Sequence, residues 1–104
     1  MAKYLMAYHG GEMAQTDEQR AAVMAAWGAW FGALGSAIVD PGNPCGPAMT
    51  VAGDGSIAPG GSSALTGYSV ISADSLQAAS ELAKGCPVLG AGGSVEVYEV
   101  HEVM

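Results

Sequence analysis

Twice along this chain a strand-like run leads into a helix-capping motif, an apolar helix and a second strand-like run. That repeated β-α-β grammar constrains the fold more than any other feature. The first run is KYLMAY at residues 3–8, bounded by His9-Gly10-Gly11. Tyr4, Met6 and Tyr8 fall on one face and Leu5 and Ala7 on the other, so this strand calls for cover on both sides. Thr16 then stands where it can cap a helix, with Gln19 three residues on and Asp17 and Glu18 at the positive end of the helix dipole. Val23, Trp27, Trp30, Phe31 and Leu34 recur at helical spacing until Gly35 supplies a stop. Aromatic stripes of this kind serve core packing more often than they serve a ligand. Ala37-Ile38-Val39 reads as a second strand that ends near Asp40, in the turn-rich DPGNPCGP.

Met49-Thr50-Val51 and Ser56-Ile57-Ala58 flank Gly53-Asp54-Gly55, a hairpin pattern inserted between the main strands. Residues 59–64, PGGSSA, are linker-like, and residues 66–72, TGYSVIS, have the β-branched and aromatic content of a third strand. Ser75 caps LQAASELAK, where Leu76, Ala79, Leu82 and Ala83 share helical spacing, and Gly85-Cys86-Pro87 ends that helix. After the glycine-rich LGAGG, residues 94–100 alternate Val95 and Val97 with Glu96 and Tyr98, as a half-exposed last strand should.

The expectation is a single α+β domain over residues 1–104, with a ferredoxin-like βαββαβ plan and an inserted β-hairpin. Its antiparallel sheet would run in spatial order fourth, first, third, second, with two helices on one face. The first strand is apolar on the other face too, and the economical cover is the same sheet from a second copy, giving a homodimer. Composition agrees: half the residues are apolar and only 12% are charged, so polar side chains are too few to cover a small monomer.

A formal charge of −7 with three scattered basic residues offers no basic stripe for phosphates, so nucleic acid is excluded as a partner. Binding to an anionic membrane fails on the same charge, and no apolar run approaches the length of a membrane helix. The start MAKYLMAYHGG lacks a signal-peptide pattern, so the protein is expected to be cytoplasmic, with Cys45 and Cys86 as reduced thiols.

KYLMAYHGGE, QRAAVMAAWGAWFGALG, LTGYSVISADSLQAASELAKGCP and GGSVEVYEV, in this order, resemble the YCII-related domain, in particular its DGPF-type branch. The likeness spans nearly the whole chain and implies a dimeric α+β barrel. Where that branch carries Asp-Gly-Pro-Phe, this chain reads Ala58-Pro59-Gly60-Gly61. Where other members carry a first-helix histidine that acts with an aspartate, this helix has Trp27 and no histidine. The resemblance therefore implies a fold and carries over no catalytic pair.

Topology brings His9, Asp40, Cys45 and Cys86 to one end of the sheet and His101 to the other. Three readings follow. His9 is a general base oriented by Asp40, because imidazole titrates near neutrality and a carboxylate holds its tautomer. Alternatively His9, Cys45 and Cys86, with or without Asp40, ligate a divalent metal, although the close paired spacings of zinc motifs are missing. In the third reading His9 ends a strand, Asp40 forms a turn before Pro41, and the cysteines pack. We assign His9 and Asp40 as the catalytic pair, and Tyr8, Trp27 and Trp30 as lining a small-molecule pocket between sheet and helices, with no metal and no cofactor. The competing class is a non-enzymatic accessory or protein-interaction module. GAGG at residues 90–93 leads into a strand and reads as a turn rather than a phosphate loop, and Glu96, Glu99 and Glu102 read as a charged, solvated strand.

Overall fold

A computed structural model describes residues 2–11, 14–61 and 65–103. Residues 62–64 of the expected linker, and Glu12 of the opening KYLMAYHGGE segment, lie outside the described residues. Among the described residues, six strands and three helices follow in the order β1 (Ala2–His9), α1 (Asp17–Leu34), β2 (Ile38–Asp40), β3 (Met49–Val51), β4 (Ile57–Pro59), β5 (Leu65–Ala73), α2 (Leu76–Ala83), α3 (Pro87–Gly90) and β6 (Ser94–Val100). The main sheet has the order β2-β5-β1-β6, which is the expected order of the four main strands, and β3 and β4 form a separate hairpin. β1 is central and pairs antiparallel with both β5 and β6. The arrangement is consistent with a ferredoxin-like α+β fold.

Local chemistry explains the helix ends. The Gln19 N–H donates to Thr16 Oγ1 at 3.0 Å, and the Gln19 side chain accepts from Gln15 N–H at 2.8 Å. Gly35 closes α1 with its N–H on the Phe31 carbonyl, and a single 3₁₀ turn then occupies the residues where the second strand was expected to begin. Ser75 caps α2 through the Ala78 N–H. The one-turn helix α3 is an addition to the sequence-based expectation. Pro87 at its first position is the local signal, but four residues are too few to show a period.

Strand register places the core. Tyr4 opposes Ile71, Met6 opposes Ser69 and Tyr8 opposes Gly67, so these residues share one face. On that face they are buried beneath Trp30 and Leu34 of α1 and Ala79 and Ala83 of α2. Met6 and Ile71 are fully enclosed, and burial of each is worth roughly 1.5–3 kcal/mol. Two expected stripes are corrected here. Val23 is exposed, as is every residue of α1 from 17 to 26, and in α2 Ala79 and Ala83 are buried while Leu76 and Leu82 are exposed. A helix seated close on a sheet presents its small residues to the strands and its larger ones at the flanks, a choice that spacing alone does not reveal.

The opposite face of the sheet carries Leu5, Tyr68, Val70, Tyr98 and Val100, all partly or largely exposed. The molecule is consequently a slab of 44 × 40 × 19 Å, one sheet and one helical layer thick.

Candidate functional site

Tyr8, Trp27 and Trp30 do come together. Their rings meet edge to face, Tyr8 to Trp27 at 5.0 Å and Trp27 to Trp30 at 5.6 Å between centroids. Their polar atoms are engaged in structure as well. The Tyr8 hydroxyl donates to Ser69 Oγ at 2.7 Å, which in turn donates to the Pro41 carbonyl at 2.6 Å, while Trp30 Nε1–H donates to the Leu82 carbonyl. Burial pushes the Tyr8 hydroxyl up to about 12, against the opposing pull of the Ser69 hydrogen bond. Cys86, buried on the same side, has its thiol pushed up to about 11 by burial. Such a thiol is protonated and unreactive at neutral pH. The expected pocket between sheet and helices is thus occupied by its own lining: Tyr8 and Trp30 are buried, and Trp27 is packed against them.

His9 goes the other way. Alternation along β1 turns it off the face that Tyr8 occupies, onto the open face, and a register shift against β5 falls between the two residues. There its Nε2 lies 2.5 Å from Oε1 of Glu96, with the imidazole 13% exposed and the carboxylate half exposed. Ala7 opposes Glu96 and Leu5 opposes Tyr98, which sets the acid diagonally beside His9 and the phenol one step further along β6. The Glu96 carboxylate beside the Tyr98 phenol holds its pKa above the usual phenol range. His9, Glu96 and Tyr98 therefore form one polar row across two strands, edged by the apolar Leu5 and Ala7. The backbone permits this approach because position 93 is glycine: a Cβ there would stand 2.5 Å from the His9 carbonyl oxygen.

Asp40 does not join His9. It opposes Val70, which opposes Leu5, four residues short of His9 on β1, a separation of roughly 13 Å along the strand direction. It also lies two strands away, and its Oδ1 accepts the Gly42 N–H at 2.8 Å in a local turn. Gly42 is required in that turn, at φ +74°, because a Cβ would collide with the Tyr68 carbonyl. The expected His9–Asp40 pairing is corrected to His9–Glu96, since β2 is too short to carry Asp40 to the level of the β1 terminus.

Cys45 does reach the expected end of the sheet, where its N–H donates to the Thr66 carbonyl; Thr66 Oγ1 in turn bonds the Tyr8 and Gly10 carbonyls. Its side chain is exposed in the loop, whereas Cys86 is buried on the helix face and His9 is on the opposite one. Among the described residues no group of three or more His, Cys, Asp or Glu side chains is placed to hold a metal ion. His101 lies at the far end, near Glu99. Among the described residues, too, no helix is long and apolar enough to cross a membrane.

Glu96 and Tyr98 are the site residues that sequence reasoning missed. Their shared face was readable from period-two alternation, but their meeting with His9 depends on the β1–β6 register.

The family profile described as the YCII-related domain matches residues 1–104. No curated protein and no solved structure matches the chain.

Proposed function

The chain belongs to the YCII-related domain family, and from that premise we propose that it works as a homodimer handling a small-molecule ligand, with His9 as the acid–base group. The observation that carries this reading is the His9–Glu96 contact of 2.5 Å on a sheet face left open by the helices. A carboxylate against one ring nitrogen orients the imidazole and balances its charge when it takes up a proton. Tyr98 stands next to the same carboxylate on the open face of β6. The ligand side of such a site is the mixed apolar and hydroxylic surface of Leu5, Tyr68 and Tyr98, suited to a small organic molecule with a proton to exchange. A second copy laid on this face would shut water out of the site and cover the half-exposed apolar side chains together.

The dense packing of Tyr8, Trp27 and Trp30 supports a second reading, a non-enzymatic accessory module, because those aromatics hold the fold and need no ligand. Native mass spectrometry of protein purified without chelator separates the two. The acid–base reading expects a dimer with a co-purifying small-molecule mass that is lost in His9→Ala and in Glu96→Gln. A dimer without any adduct, identical in all three proteins, would turn the assignment to the accessory module.

A further inference from the structure

The hairpin formed by β3 and β4 has a made face and, among the described residues, no cover for it. Met49 opposes Pro59 and Val51 opposes Ile57, so these four side chains share one face, while Thr50 and Ala58 share the other. All six strand residues are exposed, and Met49, Val51 and Ile57 are each about two-thirds exposed, at 68%, 66% and 64%. Strict alternation of apolar and small or polar residues in both strands is the pattern of a surface that packs against something.

The arm is nevertheless well formed. Ala52 N–H donates to the Ser56 carbonyl, Gly55 N–H to Ala52, and Gly60 N–H to Ala48. Asp54 accepts from both the Ser56 N–H and its hydroxyl, bonds that hold its carboxyl below the usual range, and Thr50 Oγ1 donates to the Gly60 carbonyl. At its root an open cleft of about 700 Å³ is lined by Cys45, Pro47, Ala48, Met49 and Leu65, continuing the apolar face. An isolated two-stranded hairpin is marginal in water, so a preorganised one with a greasy face points to a docking surface.

The surface total is large for a folded monomer of this mass. The chain exposes 6944 Å², whereas a folded monomer of its mass exposes about 5,400 Å². The excess, roughly 1,500 Å², exceeds the ~800 Å² that each partner buries in a standard interface and suits an extensive dimer. The open sheet face, whose Leu5, Tyr68 and Val70 are half buried already, supplies only part of it; Met24 of α1 and Val103 also stand clear, and the hairpin is the region where three large apolar side chains do so side by side on one face.

We propose that the β3–β4 hairpin is a dimerisation arm, its Met49–Val51–Ile57–Pro59 face docking on a second copy of this chain. The inference rests on the homodimer reading above and adds an element outside the sheet. A symmetric pair forms such a contact twice, which is the economical way for one short arm to bury so much surface.

Sedimentation velocity over a range of concentrations, with the full-length chain and Val51→Glu/Ile57→Glu, tests it. The wild type is expected to self-associate, and the variant to dissociate at least tenfold more readily with an unchanged circular dichroism spectrum. Hydrogen exchange on the wild type gives a second measure, independent of whether the variant folds. Amides 50–58 should exchange more slowly at concentrations where the dimer forms. A wild-type dimer whose hairpin exchanges at one rate throughout, or whose variant associates within twofold of the wild type, overturns the arm and leaves the dimer standing. A wild type that stays monomeric removes both.

Discussion

The two faces of the central sheet are built from the same strands and behave as two different materials. On the helix face, Tyr4, Met6, Tyr8, Ser69 and Ile71 are closed in, and even the polar atoms are committed: the Tyr8 hydroxyl to Ser69, and Ser69 to Pro41. On the open face, Leu5, Tyr68, Val70 and Tyr98 are left partly in solvent, and the polar atoms are aligned with one another, His9 against Glu96 and Glu96 against Tyr98. Residues one position apart on β1 thus belong in turn to the closed core and to the open polar row. The conspicuous aromatics belong to the former, and an ordinary-looking strand glutamate to the latter.

The difference breaks most visibly under truncation. Met6→Ala should cost about 2–5 kcal/mol of unfolding free energy, because the enclosed site cannot collapse around the missing atoms. Leu5→Ala, its neighbour on the open face, should cost about 1 kcal/mol or less at concentrations where the chain is monomeric. Urea unfolding of the pair decides it, and equal losses would mean that both faces are equally closed.

Alkali sharpens the contrast next. The Tyr8 hydroxyl and the Cys86 thiol have folded-state values raised by burial to about 12 and about 11, from ordinary values of 10.0 and 9.0. The unfolded chain therefore releases these protons first, so their contribution is intact below pH 9 and is lost as pH climbs toward 12. Between pH 8 and 10.5 the loss should be roughly 2–3 kcal/mol for the two together. Urea midpoints across that range measure it, and a flat profile would place both groups in water.

The finest comparison is between two serines of β5 that face opposite ways. Ser69→Ala strands the buried Tyr8 hydroxyl and the Pro41 carbonyl and should cost about 1–3 kcal/mol. Ser72→Ala removes only a long bond of 3.4 Å to the Ala37 carbonyl, and should stay within about 0.5 kcal/mol. Thermal unfolding of the two variants side by side would read the difference directly; a larger loss at Ser72 would contradict the assignment of faces.

Legibility followed the range of the interactions. Thr16 and Ser75 as caps, Gly35 as a stop and the Gly53-Asp54-Gly55 hairpin were readable because each depends on a few adjacent residues. The position of the α2 leucines was not, because helical spacing marks an apolar arc without saying which part of it meets the strands. Asp40 looked like the partner of His9 because the strands before both residues run parallel. That argument gives the shared end of the sheet and omits the level at which each strand stops.

The sequence by itself determined the elements, apart from the one-turn α3, and their order. It also determined which side chains share a strand face, since alternation and capping are properties of short segments. It determined as well that β1 is apolar on both sides. Only the tertiary structure decided that Glu96, from the far end of the chain, stands against His9, and that Tyr8, Trp27 and Trp30 fill the space a ligand would need. Those outcomes depend on strand register and on how closely the helices seat on the sheet. Both are settled by the packing of the whole core rather than by any one segment's preference.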